Sequence, residues 1–157
     1  MTGLEGLDAE LLPEAGGARY LVARSADTRV AIPLAEAREI IATRVLTRLP
    51  GAPTWIAGLL NLRGTVLTVV DLDARLGGSA AAGPVVVVER EGRTFGVRVS
   101  AVEAVQGTGG EELPVDAARA AGGVVRGLVP VGERPALVVD VAALLRTALA
   151  DATGSNS

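Results

Sequence analysis

Shifted by 69 positions, the chain lies over itself. Residues 58–76, GLLNLRGTVLTVVDLDARL, fall on residues 127–145, GLVPVGERPALVVDVAALL. Gly58/Gly127, Leu59/Leu128, Val69/Val138, Val70/Val139, Asp71/Asp140 and Leu76/Leu145 are identical, and most other apolar positions stay aliphatic. Shifted by 65, VAIPLAEAREI (30–40) falls on FGVRVSAVEAV (95–105). The order hairpin, short helix, strand, then GL…VVD therefore occurs twice. A repeat of this size predicts two units of like topology. Each is too small to bury much apolar surface alone, so the two are expected to pack around a shared interior.

The local pattern predicts a mainly β chain. RYLVARS, DTRVAIPL, TRVLTRL, LRGTVLTVVDL, PVVVVERE, RTFGVRVS, EAVQGT, VVRGLVPV and RPALVVDV are short, β-branched and mostly bounded by Gly, Pro, Asp or Ser. Close spacing of such strands reads as a barrel or sandwich. One hairpin turns through Ser25–Thr28; another turns through Arg90–Arg93, where Gly92 supplies positive φ. Helices are expected at 34–41, 116–121 and 141–152, the last capped by Asp140. Residues 77–84, GGSAAAGP, read as a flexible loop or a boundary between halves. The first 17 residues read as a tail with weak helical spacing of Leu4, Leu7, Leu11 and Leu12, and residues 151–157 as a disordered one.

Composition narrows the chemistry. The 157 residues include no cysteine and no histidine, and all fifteen cations are arginine. Thiolate and imidazole metal ligands, a histidine general base and a lysine nucleophile are excluded. Only Tyr20, Trp55 and Phe95 are aromatic and the net charge is −3, which argues against nucleic-acid binding. No apolar run approaches the ~18 residues of a membrane span, and the acidic start lacks the features of a signal peptide. The expectation is a soluble cytoplasmic protein with no catalytic residue, cofactor or metal. Asp71 and Asp73 remain a candidate carboxylate pair, since strand alternation puts them on one face. The recurrence of Asp71 as Asp140 before a helix makes a cap the simpler reading.

The repeat is broken where the first copy has Asn61-Leu62-Arg63-Gly64 and the second has Pro130-Val131-Gly132-Glu133. The shared fold therefore does not require Arg63, which points to a job specific to one copy. PTWIAGLLNLRGTVLTVVDLDARLG (53–77) resembles the signature of the CheW family, the coupling proteins of bacterial chemosensory arrays. The match includes Pro53, Ile56, Gly58, Asn61, Leu62, Arg63, Gly64, Val70, Asp71 and Leu72. Residues 20–40, 94–105 and 124–145 are similar to the family's opening hairpin, its second-half counterpart and its closing strands and helix.

The resemblance covers roughly 19–150. It implies two intertwined five-stranded SH3-like β-barrels within one domain, 18–150, with barrel one over about 18–76, barrel two over about 84–145 and a C-terminal helix at 141–150. It also implies a non-enzymatic adaptor that bridges the cytoplasmic tips of methyl-accepting chemotaxis receptors to the regulatory domain of the histidine kinase CheA, recruited to membrane arrays without inserting. A small-ligand-binding or sensory double barrel is the alternative, though no convergent polar cluster is visible to orient a ligand.

The implied partner-binding residues are Glu36, Ala37, Glu39, Asn61, Arg63, Gly64, Val85, Val86 and Val102. Arg63 reads either as a brace hydrogen-bonding loop carbonyls or as a guanidinium ordering the groove between barrels, and one residue can serve both. Asn61 and Gly64 read as backbone devices turning the chain around it. Glu36 and Glu39 read as solvated helix charges or as partners for cations. Val85 and Val86 read as core strand, or by resemblance as groove wall; Val102, on the matching short helix, carries the same ambiguity. Residues 106–123 give little to align, so kinase-pairing residues are not placed there.

Overall fold

The computed structural model describes residues 19–42, 45–108, 111–116 and 123–153. Eleven strands are present among them: β1 (Arg19–Ser25), β2 (Thr28–Pro33), β3 (Ala37–Ile41), β4 (Ile56–Leu62), β5 (Thr65–Asp71), β6 (Val85–Arg90), β7 (Arg93–Arg98), β8 (Ala101–Gly107), β9 (Leu113–Pro114), β10 (Val125–Val131) and β11 (Arg134–Val139). A 3₁₀ turn spans Leu34–Glu36, and two helices span α1 (Leu72–Arg75) and α2 (Val141–Thr153). One sheet runs β8-β1-β2-β11-β10-β9 and the other β3-β6-β7-β5-β4.

The sheets do not follow the two sequence halves. β5 pairs parallel with β7, with Val69 opposite Gly96, and β11 pairs parallel with β2, with Val138 opposite Ala31. Each sheet thus takes strands from both halves, and the chain is interlaced. The offsets of 69 and 65 carry one parallel contact onto the other. They also carry the bulges. Ala57 is the extra residue between Ile56 and Gly58 on β4, and Arg126 is the extra residue between Val125 and Gly127 on β10. Arg38 on β3 and Glu103 on β8 are a second such pair. A bulge adds twist where a small sheet must curl on itself.

Three apolar clusters are present among the described residues. Tyr20, Val22, Val129, Val131, Ala136 and Val138 pack inside one sheet. Their repeat equivalents Val85, Val87, Leu60, Leu62, Leu67 and Val69 pack inside the other. Between the sheets lies a larger cluster that includes Leu21, Ile32, Leu72, Val86, Phe95 and Val97, closed by Val141, Leu144, Leu145 and Ala148 of α2. The spacing of those last four residues is one helical stripe, which is why this segment folds as a docked helix. Asp140 Oδ1 accepts from Ala143 N at 3.1 Å. Asp71 does the same for Ala74 N at 3.0 Å, so both repeat copies of the aspartate are N-caps.

Several expectations are corrected. Residues 34–41 form a single 3₁₀ turn and then β3, not a helix; pairing of Ala37–Ile41 with Val85–Val88 overrides the propensity of an Ala- and Glu-rich segment. The matching stretch that holds Val102 is β8, a strand. Of the strand expected in 43–49, the described part contributes only the isolated bridge of Thr47 to Leu59. Within residues 77–84, which form no strand or helix, Ala81 is buried and its N–H donates to both carboxylate oxygens of Asp71, at 2.9 and 3.1 Å. α2 runs on to Thr153, into the segment expected to be a disordered tail. The N-terminal tail and residues 117–121 of the expected middle helix lie outside the described residues.

Candidate functional site

The β4–β5 hairpin turns through Arg63 and Gly64, both at positive φ (50° and 88°), the type I′ geometry that matches strand twist. Asn61 Oδ1 accepts from Gly64 N at 3.0 Å and closes the turn. Gly64 takes a positive φ at no steric cost, whereas Arg63 holds one that non-glycine residues seldom adopt. That conformation swings the guanidinium towards β3. There it meets Glu39 with two prongs: Nη1 donates to Oε2 at 3.3 Å and Nη2 to Oε1 more closely.

β3 and β4 are the two outermost strands of their sheet, and this ion pair ties β3 to the hairpin tip that follows β4. The Glu39 side chain is only 10% exposed and that of Arg63 is 67% exposed. The carboxylate is thus buried beneath a guanidinium that covers it and faces solvent. Glu39 raises the Arg63 pKa above its ordinary value, first by hydrogen bonding and then by charge.

The other barrel is tied at the same place by different residues. There the positions equivalent to Arg63 and Glu39 are Gly132 and Ala104. Instead Arg29 on β2 sends Nη1 to the carbonyl oxygens of Val131 (2.9 Å) and Arg134 (2.8 Å), at the base of the β10–β11 turn. Its Nε and Nη2 both lie 3.3 Å from Glu103 Oε1 on β8. An arginine that ties a hairpin tip to an edge strand is therefore common to both barrels, although the Arg63–Glu39 pair itself occurs in one copy alone. The sequence repeat hides this because the second arginine comes from a different strand.

A groove of about 420 Å³ runs where β3 of one sheet meets β1 and β8 of the other. Its walls are Leu21, Ile40, Val102, Ala104 and Val105, with Glu103 and Gln106 as the polar members. Of the nine expected contact residues, only Val102 lines it. Glu39 adjoins it through Ile40, its neighbour on β3, and Asn61, Arg63 and Gly64 make the turn that braces β3. Glu36 pairs with Arg90 at 2.7 Å, so it is not an unengaged helix charge.

Val85 and Val86 have no exposed surface, and Ala37 is buried. Of the two readings of these valines, core strand is the one that fits: β6 is covered on both faces, and neither valine is among the residues that line the groove. Leu21, Ile40, Ala104, Val105 and Gln106 were missed. They are groove residues only because three strands distant in the chain, β1, β3 and β8, are brought together.

Asp71 and Asp73 do not make a working carboxylate pair. Asp71 ends a strand and caps α1, and Asp73 lies within α1. Burial raises the Asp71 pKa, with the Asp73 charge adding to the rise; N–H groups of Ala74 and Ala81 and the charge of Arg98 oppose it. Asp73 accepts close hydrogen bonds from the hydroxyls of Ser25 and Ser100, joining α1 to the β1–β2 turn and to the β7–β8 connection. Both carboxylates are consumed by structure. No helix among the described residues is long and apolar enough to cross a membrane.

A family model for the CheW-like domain matches residues 19–149. The chain is 36% identical over 91 residues to the chemotaxis protein CheW of Rhizobium meliloti, covering 55% of this chain and 59% of that one. It is 30% identical over 152 residues to the chemotaxis protein CheW of Klebsiella aerogenes, covering 92% of this chain and 91% of that one. The crystal structure of the scaffolding protein TtCheW from Thermoanaerobacter tengcongensis superimposes with a TM-score of 0.70 at 22% identity, covering 79% of this chain and 89% of that one. The family-model match, which runs from β1 into α2, and the 30% identity across nearly the whole of the Klebsiella aerogenes protein show that this chain belongs to the CheW family of chemotaxis scaffold proteins.

Proposed function

We propose that this chain is a non-enzymatic adaptor that couples the cytoplasmic tips of methyl-accepting chemotaxis receptors to the regulatory domain of a CheA-type histidine kinase. It works in the cytoplasm, recruited to membrane arrays by its partners. The observation that carries the reading is the inter-sheet groove. Its walls are aliphatic and nearly free of charge, and Ile40 from one sheet faces Leu21 and Val102 from the other. Such a surface suits the apolar face of an amphipathic helical hairpin. The groove has no aromatic anchor, so burial of about 800 Å² per side is expected to give a roughly micromolar complex. Arrays of many such contacts then hold together by multivalency.

Glu39, Asn61, Arg63 and Gly64 support the receptor side by fixing the position of β3, whose Ile40 lines the groove. Glu36 and Ala37 hold the approach to β3, and Val85 and Val86 act from beneath it as core partners in the β3–β6 pairing. The test is co-sedimentation with receptor signalling fragments and CheA, together with kinase activity. The adaptor should sediment only with the receptor fragment present, and should raise receptor control over phosphorylation. Kinase output indifferent to added protein would overturn the reading.

A further inference from the structure

The Arg29 guanidinium joins two places that are far apart in the chain, through three acceptors. Glu103, on β8, is one of the two polar members of the groove wall. Val131 and Arg134 flank the turn of the β10–β11 hairpin. That turn forms part of a second groove of about 480 Å³, together with Leu113, Leu128, Pro130 and Pro135. The Arg29 side chain is 14% exposed, so it is held in place along its length. Two carbonyl oxygens and one carboxylate oxygen share one planar fork, and movement of any of them changes the geometry available to the others.

We propose that Arg29 is a positioning residue that transmits the occupancy of the inter-sheet groove to the β10–β11 hairpin tip. The inference rests on the groove being a binding site, as argued above. Glu103 is 29% exposed on its groove wall. An apolar helix laid in the groove removes water from it and strengthens its attraction to Arg29, because the same charges interact more strongly in a lower dielectric. The fork is then held harder, and the two carbonyl oxygens with it. The hairpin tip becomes more rigid and the second groove better defined. Arg63 does not provide such a link, since its partner Glu39 does not line the groove. The interlaced topology makes the relay possible, since β2 and β11 pair side by side although they lie over 100 residues apart.

The experiment is amide hydrogen exchange at residues 131–134 in the full chain, with and without a saturating receptor signalling-tip fragment. Occupancy should slow exchange there by about fivefold or more. In R29M the fragment should still bind and the slowing should vanish; R29K should not restore it, because an ammonium lacks the fork. A second arm needs no fragment. E103Q should speed exchange at the tip in the wild-type background and leave it unchanged in the R29M background.

If the fragment fails to bind the wild-type chain, the groove reading fails, and the E103Q and R29M cycle still decides the relay. If it binds without slowing the tip, if R29M keeps the response, or if E103Q acts equally in both backgrounds, Arg29 carries no signal and the proposal is overturned.

Discussion

Arg63, in the turn that follows β4, and Glu39, on β3, join the two outermost strands of one sheet by a two-pronged ion pair. The carboxylate is the buried partner, so removal of the guanidinium leaves a charge in a poorly hydrated place. Loss of one partner of such a pair is costlier than its modest net contribution suggests. R63A should remain cooperatively folded, because the apolar interior of the barrel is untouched, but melt at a lower temperature. Its binding to a receptor signalling fragment should weaken by about tenfold or more as β3 loses its brace. Titration of the fragment against both proteins checks this. A variant that unfolds outright shows that Arg63 is chiefly structural.

Gly58 and Gly127 are repeat equivalents, each following a bulge, yet they should differ in tolerance. A Cβ on Gly58 would lie 2.5 Å from the Thr47 carbonyl oxygen, and φ there is +145°. Backbone cannot yield cheaply, and an L residue is strained at that angle. A Cβ on Gly127 would meet the Glu112 side chain at 2.6 Å, and that side chain can swing away. G58A should cost about 3 kcal/mol or more and G127A only about 1 kcal/mol, the latter partly through loss of the Glu112–Arg126 pair. Urea unfolding of both variants reads the difference directly. Equal costs would show that the clash at Gly58 relaxes.

Much of the fold is legible because the repeat is a register statement. Gly58 and Gly127, Val69 and Val138, and Asp71 and Asp140 occupy matching places in the two sheets. β3 was misread because LAEAREII has helical propensity and spacing, and only its pairing with β6 decides otherwise. Propensity is local and strand pairing is not. The site was less legible for the same reason. Glu39 and Arg63 were singled out, but their mutual contact spans 24 positions with no pattern to announce it. Arg29 escaped notice because its repeat equivalent is Thr94, so no symmetry marks it. Val85 and Val86 read equally as core strand or groove wall in the sequence, and only the covering of both faces of β6 decides for core.

Asp71 has a pH signature of definite sign. Burial is the largest cause of its raised pKa in the folded protein. Between the ordinary value and the raised one, the folded chain holds more protons than the unfolded chain. Stability from this group is therefore fully present below the ordinary Asp value and declines as pH rises through the folded one. D71N removes the titration and places an amide where the Ala81 N–H needs an acceptor. The variant should be less stable throughout, and the wild-type advantage should grow on acidification from about pH 6 to about pH 4. Paired chemical denaturation across that range measures it. An advantage that shrinks on acidification would show that hydrogen bonding from Ala74 and Ala81 outweighs burial.

Ser25 is fully buried with its hydroxyl on Asp73, and Ser100 approaches the same carboxylate from the β7–β8 connection. D73A strips both hydroxyls of their acceptor, and Ser25, with no exposed surface, is the one bulk solvent does not reach. A buried donor left in this state costs about 1–3 kcal/mol. S25A alone removes a donor and leaves the carboxylate served by Ser100, so its cost should be smaller. In the double variant the orphaned hydroxyl is gone, and much of the penalty goes with it. The two costs should therefore fall short of adding by about 1 kcal/mol or more, the mark of residues that act as one unit. Equilibrium unfolding of the four proteins in the cycle measures that coupling. Additive costs would mean that the Ser25 hydroxyl finds another acceptor once Asp73 is removed, and that the cluster does not by itself bind the β1–β2 turn to α1.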